Sequence, residues 1–188
     1  MTIARYLGIT TALAAVATGS NARADQLSIT EKPGHVTEGV VTVDASPSQV
    51  YALVTDYRNW RSVFSDVQSV SVQSGGQRDA TVRFRSHALQ HEVTVRFDNV
   101  PDLLIRFKGI HGPPGGRASG SFELTPLAGG TRTLVRGRLY MDVVGLPSLF
   151  ISDSRIRSMR EAKLRADMTD VLRRFPPPPR VSAQAPQS

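Results

Sequence analysis

Apolar residues along this chain recur with a period of two for most of its length and switch to the helical period near the end. Val41, Val43 and Ala45 alternate with Thr42 and Asp44, which predicts a half-buried first strand over about residues 35–45. Ala45-Ser46-Pro47 stops that strand. Ser46 offers an N-cap oxygen, and Pro47 at the first helical position gives up no hydrogen bond that a helix needs. Val50, Leu53 and Val54 then fall at i, i+3 and i+4 on one face. Asp56-Tyr57 interrupts the run, with Asp56 placed to cap or link, and Asn59 to Phe64 reads as a second short helix.

Strand alternation then resumes. Val70 and Val72 alternate with Ser69 and Ser71 between Val67 and Gln73. From Asp79 to His87, Ala80, Val82 and Phe84 oppose Arg83 and Arg85; next, Val93, Val95 and Phe97 oppose Glu92, Thr94 and Arg96. Leu103, Ile105 and Phe107 alternate with Arg106 and Lys108, and Phe122 and Leu124 lie on a further strand. The longest runs from Thr131 to Val143, with Val135, Gly137, Leu139 and Met141 opposite Arg132, Arg136 and Arg138. Gly75-Gly76 and Ala128-Gly129-Gly130 supply hairpin turns, while His111 to Gly116 is too rich in Gly and Pro for regular structure. About seven strands joined mostly by short turns predict an antiparallel meander.

From Ser148 to Phe175 no Gly or Pro intervenes and the period becomes helical. Leu149, Ile156, Met159, Lys163, Ala166 and Thr169 form one seam; Leu164, Met168, Val171, Leu172 and Phe175 form another. Roughly 28 residues make a rod of about 40 Å. Only a wide sheet can cover such a rod, and no other segment is long enough to cover the apolar face of the sheet, so the class is α+β.

Strand, capped helix, break and second short helix together resemble the START-like superfamily (SRPBCC; polyketide cyclase/dehydrase and lipid transport), most closely its coenzyme Q-binding branch. The residues that carry the resemblance are Ser46, Pro47, Val50, Tyr51, Leu53, Val54 and Asp56, followed by Trp60, Val63 and Phe64. Many members place a proline just after the aromatic; this chain has Arg61. The resemblance covers about residues 35–175. It implies a helix-grip fold: a curved antiparallel sheet of about six to seven strands wrapped around the C-terminal helix, with two short helices after the first strand. It also implies a ligand cavity between sheet and helix. The lining that this sequence would give it is Trp60 and Phe64, then Val82, Phe84, Val93, Val95 and Phe97, then Ile105, Phe107, Phe122 and Leu124, then Leu139 and Met141, with Ile156, Met159 and Lys163 from the helix. On residue type alone these side chains equally suit a closed core; pockets for apolar ligands have the same composition.

Charge and the chain ends change the picture of where such a domain works. The formal charge is +7 and the sequence pI about 10.5, which by themselves suit nucleic acid or an anionic membrane. Tyr6 to Ala17 is apolar or small and Ala22-Arg23-Ala24 has the small-x-small pattern of a cleavage site, so residues 1–24 read as a cleaved secretory signal. Loss of Arg5 and Arg23 lowers the charge from +7 to +5. Periplasmic location is then expected, which counts against nucleic acid as a partner. Residues 25–34 read as a polar lead-in, 35–175 as the domain, and 176–188 as a Pro-rich disordered tail. Arg155, Arg157, Arg160, Arg165, Arg173 and Arg174 read as a solvated helix face whose density suits anionic phospholipid heads.

Candidate chemistry is sparse. Cysteine is absent, which excludes disulfides and thiolate chemistry. His87 and His91 bracket a predicted hairpin, and with His35 and His111 they find no carboxylate cluster to complete a metal site. Ser119-Gly120-Ser121 lacks a nucleophile-elbow frame, and the loop at 112–116 has no G-K-[ST] and is read as a lip of the pocket or an ordinary turn. No catalytic set, metal or cofactor is expected. Lys163, on the inward seam, either meets an anionic head group or snorkels to water. The reading is a monomeric carrier of a hydrophobic small molecule, a lipid or isoprenoid quinone, with possible anionic-membrane contact. The alternatives are an aromatase/cyclase-like enzyme and a ligand-free interaction module.

Overall fold

The computed structural model describes residues 27–87, 91–145 and 150–176. The strands are β1 (Leu27–Lys32), β2 (Val36–Val43), β3 (Val67–Gly75), β4 (Asp79–Ser86), β5 (Glu92–Val100), β6 (Leu104–His111), β7 (Gly116–Leu127) and β8 (Arg132–Val143). The helices are α1 (Pro47–Thr55), α2 (Trp60–Val63) and α3 (Asp153–Arg174), with a 3₁₀ turn over Tyr57–Asn59 leading into α2. The strands form one antiparallel sheet in the order β1-β2-β8-β7-β6-β5-β4-β3. The last six therefore make the expected meander, and the first hairpin joins its far end beside β8. With the long C-terminal helix against it, this is the helix-grip arrangement.

Eight strands stand where about seven were expected. The additional one is β1, which replaces most of the polar lead-in expected over 25–34. Its sequence signal is weak for a physical reason. The half-buried positions are Leu27, Ile29 and Glu31, so only two of three are apolar, and the third is charged because it meets a cation on α3. Gly34 and His35 turn the hairpin with φ of 79° and 61°. Residues 1–24, expected to be a signal, and the tail expected beyond residue 176 lie outside the described residues.

Local chemistry fixes the first helix as its sequence implies. Ser46 Oγ accepts from the Gln49 backbone N–H at 3.3 Å, and Gln49 Oε1 accepts from the Ser46 N–H at 2.9 Å, a complete capping box. Asp56 Oδ2 accepts from Asn59 Nδ2 at 2.7 Å and so links α1 to the 3₁₀ turn. Trp60 Nε1 donates to the Val54 carbonyl at 2.8 Å, which ties α2 back onto α1.

The long helix begins later than its composition suggests. Ser152 is its N-cap, accepting from the Arg155 N–H at 3.4 Å, so α3 has 22 residues instead of roughly 28. Leu149, expected on one seam, lies outside the described residues. The stripe on which α3 rests is Ile156, Arg160, Leu164, Met168 and Val171, and its main contacts are with β2, β8 and β1. Arg160 corrects the sequence reading: only 2% of its side chain is exposed, whereas the other five arginines of that cluster face solvent. Its guanidinium donates to the Met141 carbonyl at 2.9 Å and to Thr37 Oγ1 at 3.2 Å, and pairs with Glu31. A buried charge is tolerated only with such a full set of partners.

Glycines let the helix approach. Gly39 of β2 pairs directly with Gly137 of β8, under Leu164 and Met168. Because α3 seats on the β1-β2-β8 end, the concave face of β4 to β7 is left to be covered from the side by α1 and α2. The gap between these two covers is the feature of functional interest.

Candidate ligand-binding site

The gap is a cavity of about 610 Å³ between the concave sheet face and α3. That is within the range of small-molecule sites, about 300–1,000 Å³. Register decides which side chains reach it. Phe84 pairs with Val93, Val82 with Val95, Phe97 with Phe107 and Ile105 with Phe122, and directly paired residues share a face.

Of the residues expected at such a cavity, most stand on its wall. Phe84, Val93, Val95, Phe97, Phe107 and Phe122 come from the sheet, with Leu139 and Met141 from β8. Trp60 and Phe64 close the α2 side, and Ile156, Met159 and Lys163 descend from α3. Val82, Ile105 and Leu124 do not line it. They are at most 1% exposed and belong to the closed core. The loop at 112–116 contributes Gly112, Pro113, Pro114 and Gly116 to the wall, so it does edge the cavity.

The aromatic wall is continuous. Trp60 makes edge-on contacts with Phe64 at 5.5 Å, Phe84 at 5.5 Å and Phe97 at 5.6 Å. Phe97 continues to Phe107 at 6.0 Å, and Phe107 to Phe122 at 6.3 Å. Edge-to-face aromatic pairs stabilise by about 0.5–1.5 kcal/mol each beyond their burial, so this wall is a rigid surface against which a flat or extended apolar molecule can lie.

Sequence reasoning missed the polar part of the lining: His91, His111, Arg117, Arg138, Asp142, Arg155 and Asp167. Arg155 was read as part of the solvated helix face, and it is exposed; it reaches the wall because the capped first turn of α3 sits at the cavity edge. Asp167 had a visible signal, its i, i+4 spacing from Lys163.

Lys163 corrects the snorkelling alternative. Its Nζ donates to Asp167 Oδ1 at 2.5 Å and stands 3.4 Å from Asp66 Oδ2. Burial works against the ammonium, but the two carboxylates outweigh it and hold its pKa above the usual lysine value. Asp167 is pushed up by burial; Lys163 opposes this, and Asp66 and Asp170 add to it. Two carboxylates thus share one ammonium. Among the described residues no group of three His, Cys, Asp or Glu side chains is placed to hold a metal ion, and no helix is long and apolar enough to cross a membrane.

A family model described as polyketide cyclase / dehydrase and lipid transport matches residues 34–176. The chain belongs to this family. Among solved structures, the polyketide cyclase/dehydrase and lipid transport fold seen here is similar to that of a START superfamily protein from Mycobacterium smegmatis (TM-score 0.63, 14% identity, 76% of this chain and 97% of that one). It is similar also to the Zhui aromatase/cyclase from a Streptomyces species (TM-score 0.61, 22% identity, 74% and 92%). A third likeness is to the di-domain aromatase/cyclase BexL (TM-score 0.60, 16% identity, 79% of this chain), of which this chain spans 52%. At these identities the likeness is one of fold. Among curated proteins none matches the chain.

Proposed function

We propose that this family member binds a hydrophobic small molecule, a lipid or isoprenoid quinone, in the cavity between sheet and α3, and acts as a carrier for it without chemical conversion. The observation that carries the reading is the cavity of about 610 Å³ with its unbroken aromatic wall. Burial of ligand surface there supplies affinity at about 25 cal/mol per Å². Export to the periplasm, inferred from residues 1–24, brings the protein to membrane lipid as a monomer. The exposed Arg155, Arg157, Arg165, Arg173 and Arg174 suit contact with an anionic surface, each contributing about 1 kcal/mol near it.

The test is solvent extraction of the purified protein followed by mass spectrometry. A stoichiometric apolar molecule supports the carrier and names its cargo. A clean extract, repeated after incubation with membrane lipid, overturns it.

A second reading is an aromatase/cyclase-like enzyme. It is favoured by the Lys163–Asp167 pair on the wall, a placed proton donor and acceptor of the kind such chemistry needs. Turnover of a linear polyketone by the pure protein would select it over the carrier.

A further inference from the structure

Side chains from three elements meet at one point of the cavity wall. Lys163 Nζ donates to Asp167 Oδ1 at 2.5 Å, one turn along α3, and stands 3.4 Å from Asp66 Oδ2 in the connection between α2 and β3. Ser86 Oγ, from β4, donates to that same Asp66 oxygen at 2.5 Å. The side chains of Lys163, Asp167 and Asp66 are 12%, 15% and 7% exposed. Lys163 and Asp167 face the cavity, and Asp66 stands behind them.

An ammonium carries three N–H donors. The two carboxylates engage two of them. The third, and Asp167 Oδ2, have no protein partner among the described residues, and both residues line the cavity. Around them the wall is Trp60, Phe64, Val67, Phe84 and Leu164. A largely apolar ligand can therefore satisfy a polar atom here.

Charge selects the kind of atom. Two carboxylates surround one ammonium, and the next acid along the helix, Asp170, is already engaged by Arg173 at 2.6 Å and by the Ser65 N–H at 2.7 Å. The point offers a donor within a field that is not positive overall, which disfavours a carboxylate or phosphate. We infer that Lys163 and Asp167 are the polar anchor of the ligand, and that the ligand's inner end carries a neutral oxygen, a ketone, quinone carbonyl or hydroxyl. This rests on the reading of the cavity as a hydrophobic-ligand site and adds the chemical class of what fills it.

Trp60, the only tryptophan, lies in the cavity wall and reports occupancy by its fluorescence. The delipidated full chain is titrated with three probes of similar shape: 2-acetylnaphthalene, 2-isopropylnaphthalene and 2-naphthoate. In the wild type the ketone binds at least about tenfold more tightly than the hydrocarbon, a hydrogen bond to a charged donor being of that size, and more tightly than the carboxylate, which Asp66 and Asp167 repel. Lys163→Met weakens the ketone about tenfold and leaves the hydrocarbon within about twofold. Asp167→Asn, which removes a negative charge and keeps the ammonium, tightens 2-naphthoate at least about threefold and serves where Lys163→Met does not fold. Equal binding of ketone and carboxylate, equal weakening of ketone and hydrocarbon by Lys163→Met, or unchanged naphthoate binding in Asp167→Asn overturns the anchor while leaving the cavity reading intact. Binding of none of the probes overturns both.

Discussion

Gly39 and Gly137 face each other across the β2–β8 pair, and Leu164 of α3 lies over both. A Cβ on Gly39 would stand 3.2 Å from Leu164 Cδ2; one on Gly137 would stand 2.9 Å from Leu164 Cδ1 and 2.5 Å from Met168 Cε. The missing methyls are what let the helix seat on this end of the sheet. Gly137→Ala is expected to cost about 1–3 kcal/mol through overpacking, more than Gly39→Ala, measured by urea unfolding. Equal stability of Gly137→Ala and wild type would show that α3 does not seat there.

Arg160 joins the helix to three strands at once, through Met141 of β8, Thr37 of β2 and Glu31 of β1. Arg160→Met leaves the Met141 carbonyl and Thr37 without a donor and is expected to destabilise by about 3 kcal/mol. Glu31→Gln should cost less, about 1 kcal/mol, because that carboxylate is 27% exposed and can be rehydrated. Chemical denaturation of both variants checks the order; the reverse order would mean that the edge strand, not the helix, depends on the pair.

Asp167 predicts a pH signature. Its folded carboxyl is held above the value of 3.8 that governs the unfolded chain, by burial first and by Asp66 and Asp170, against Lys163. As pH rises past that value the unfolded chain releases the proton while the folded one keeps it, so this group's contribution to stability falls with rising pH until the folded carboxyl also ionises. Lys163 stays charged throughout, since its pKa is raised. Asp167→Asn removes the fall. Relative to wild type, the variant should gain stability as pH rises above 3.8, until the wild-type folded carboxyl has also ionised. A difference that is flat in pH would place Asp167 in a solvated position instead.

Met159 tests the cavity by filling it. It lines the wall from α3 and is only partly buried, so Met159→Trp can place its ring in the open volume. Binding of 2-isopropylnaphthalene should fall by more than about tenfold while stability changes by less than about 1.5 kcal/mol. Undiminished binding would locate the ligand elsewhere.

How much of this was legible depended on how clean each alternation was. β4, β5, β6 and β8 show apolar residues exchanging with charged ones, and their positions follow from that, whereas Gly116–Leu127 of β7 announced only Phe122 and Leu124. β1 was not legible, because its inward Glu31 is explained only by Arg160, 129 positions away. Arg160 failed for the mirror reason: six arginines on one helix look alike until one of them lies over strands that supply acceptors. The apolar wall of the site was readable from period and residue type. Its polar rim was not, since Arg117 and Asp142 meet through the β7–β8 register and Arg155 reaches the same cavity only by the seating of α3 on β8.

The strand order has a kinetic consequence. Each strand from β3 to β8 pairs with its neighbour in sequence, so that meander can grow by short loop closures. The β1–β2 hairpin can form early, but its docking site on β8 is made about 100 residues later, where Glu38 meets Arg138. The final helix must then lie across that junction. Refolding should therefore show a slow, late step in which both ends of the domain lock together, sensitive to Gly137 and Arg160 and indifferent to changes at the β4–β5 turn.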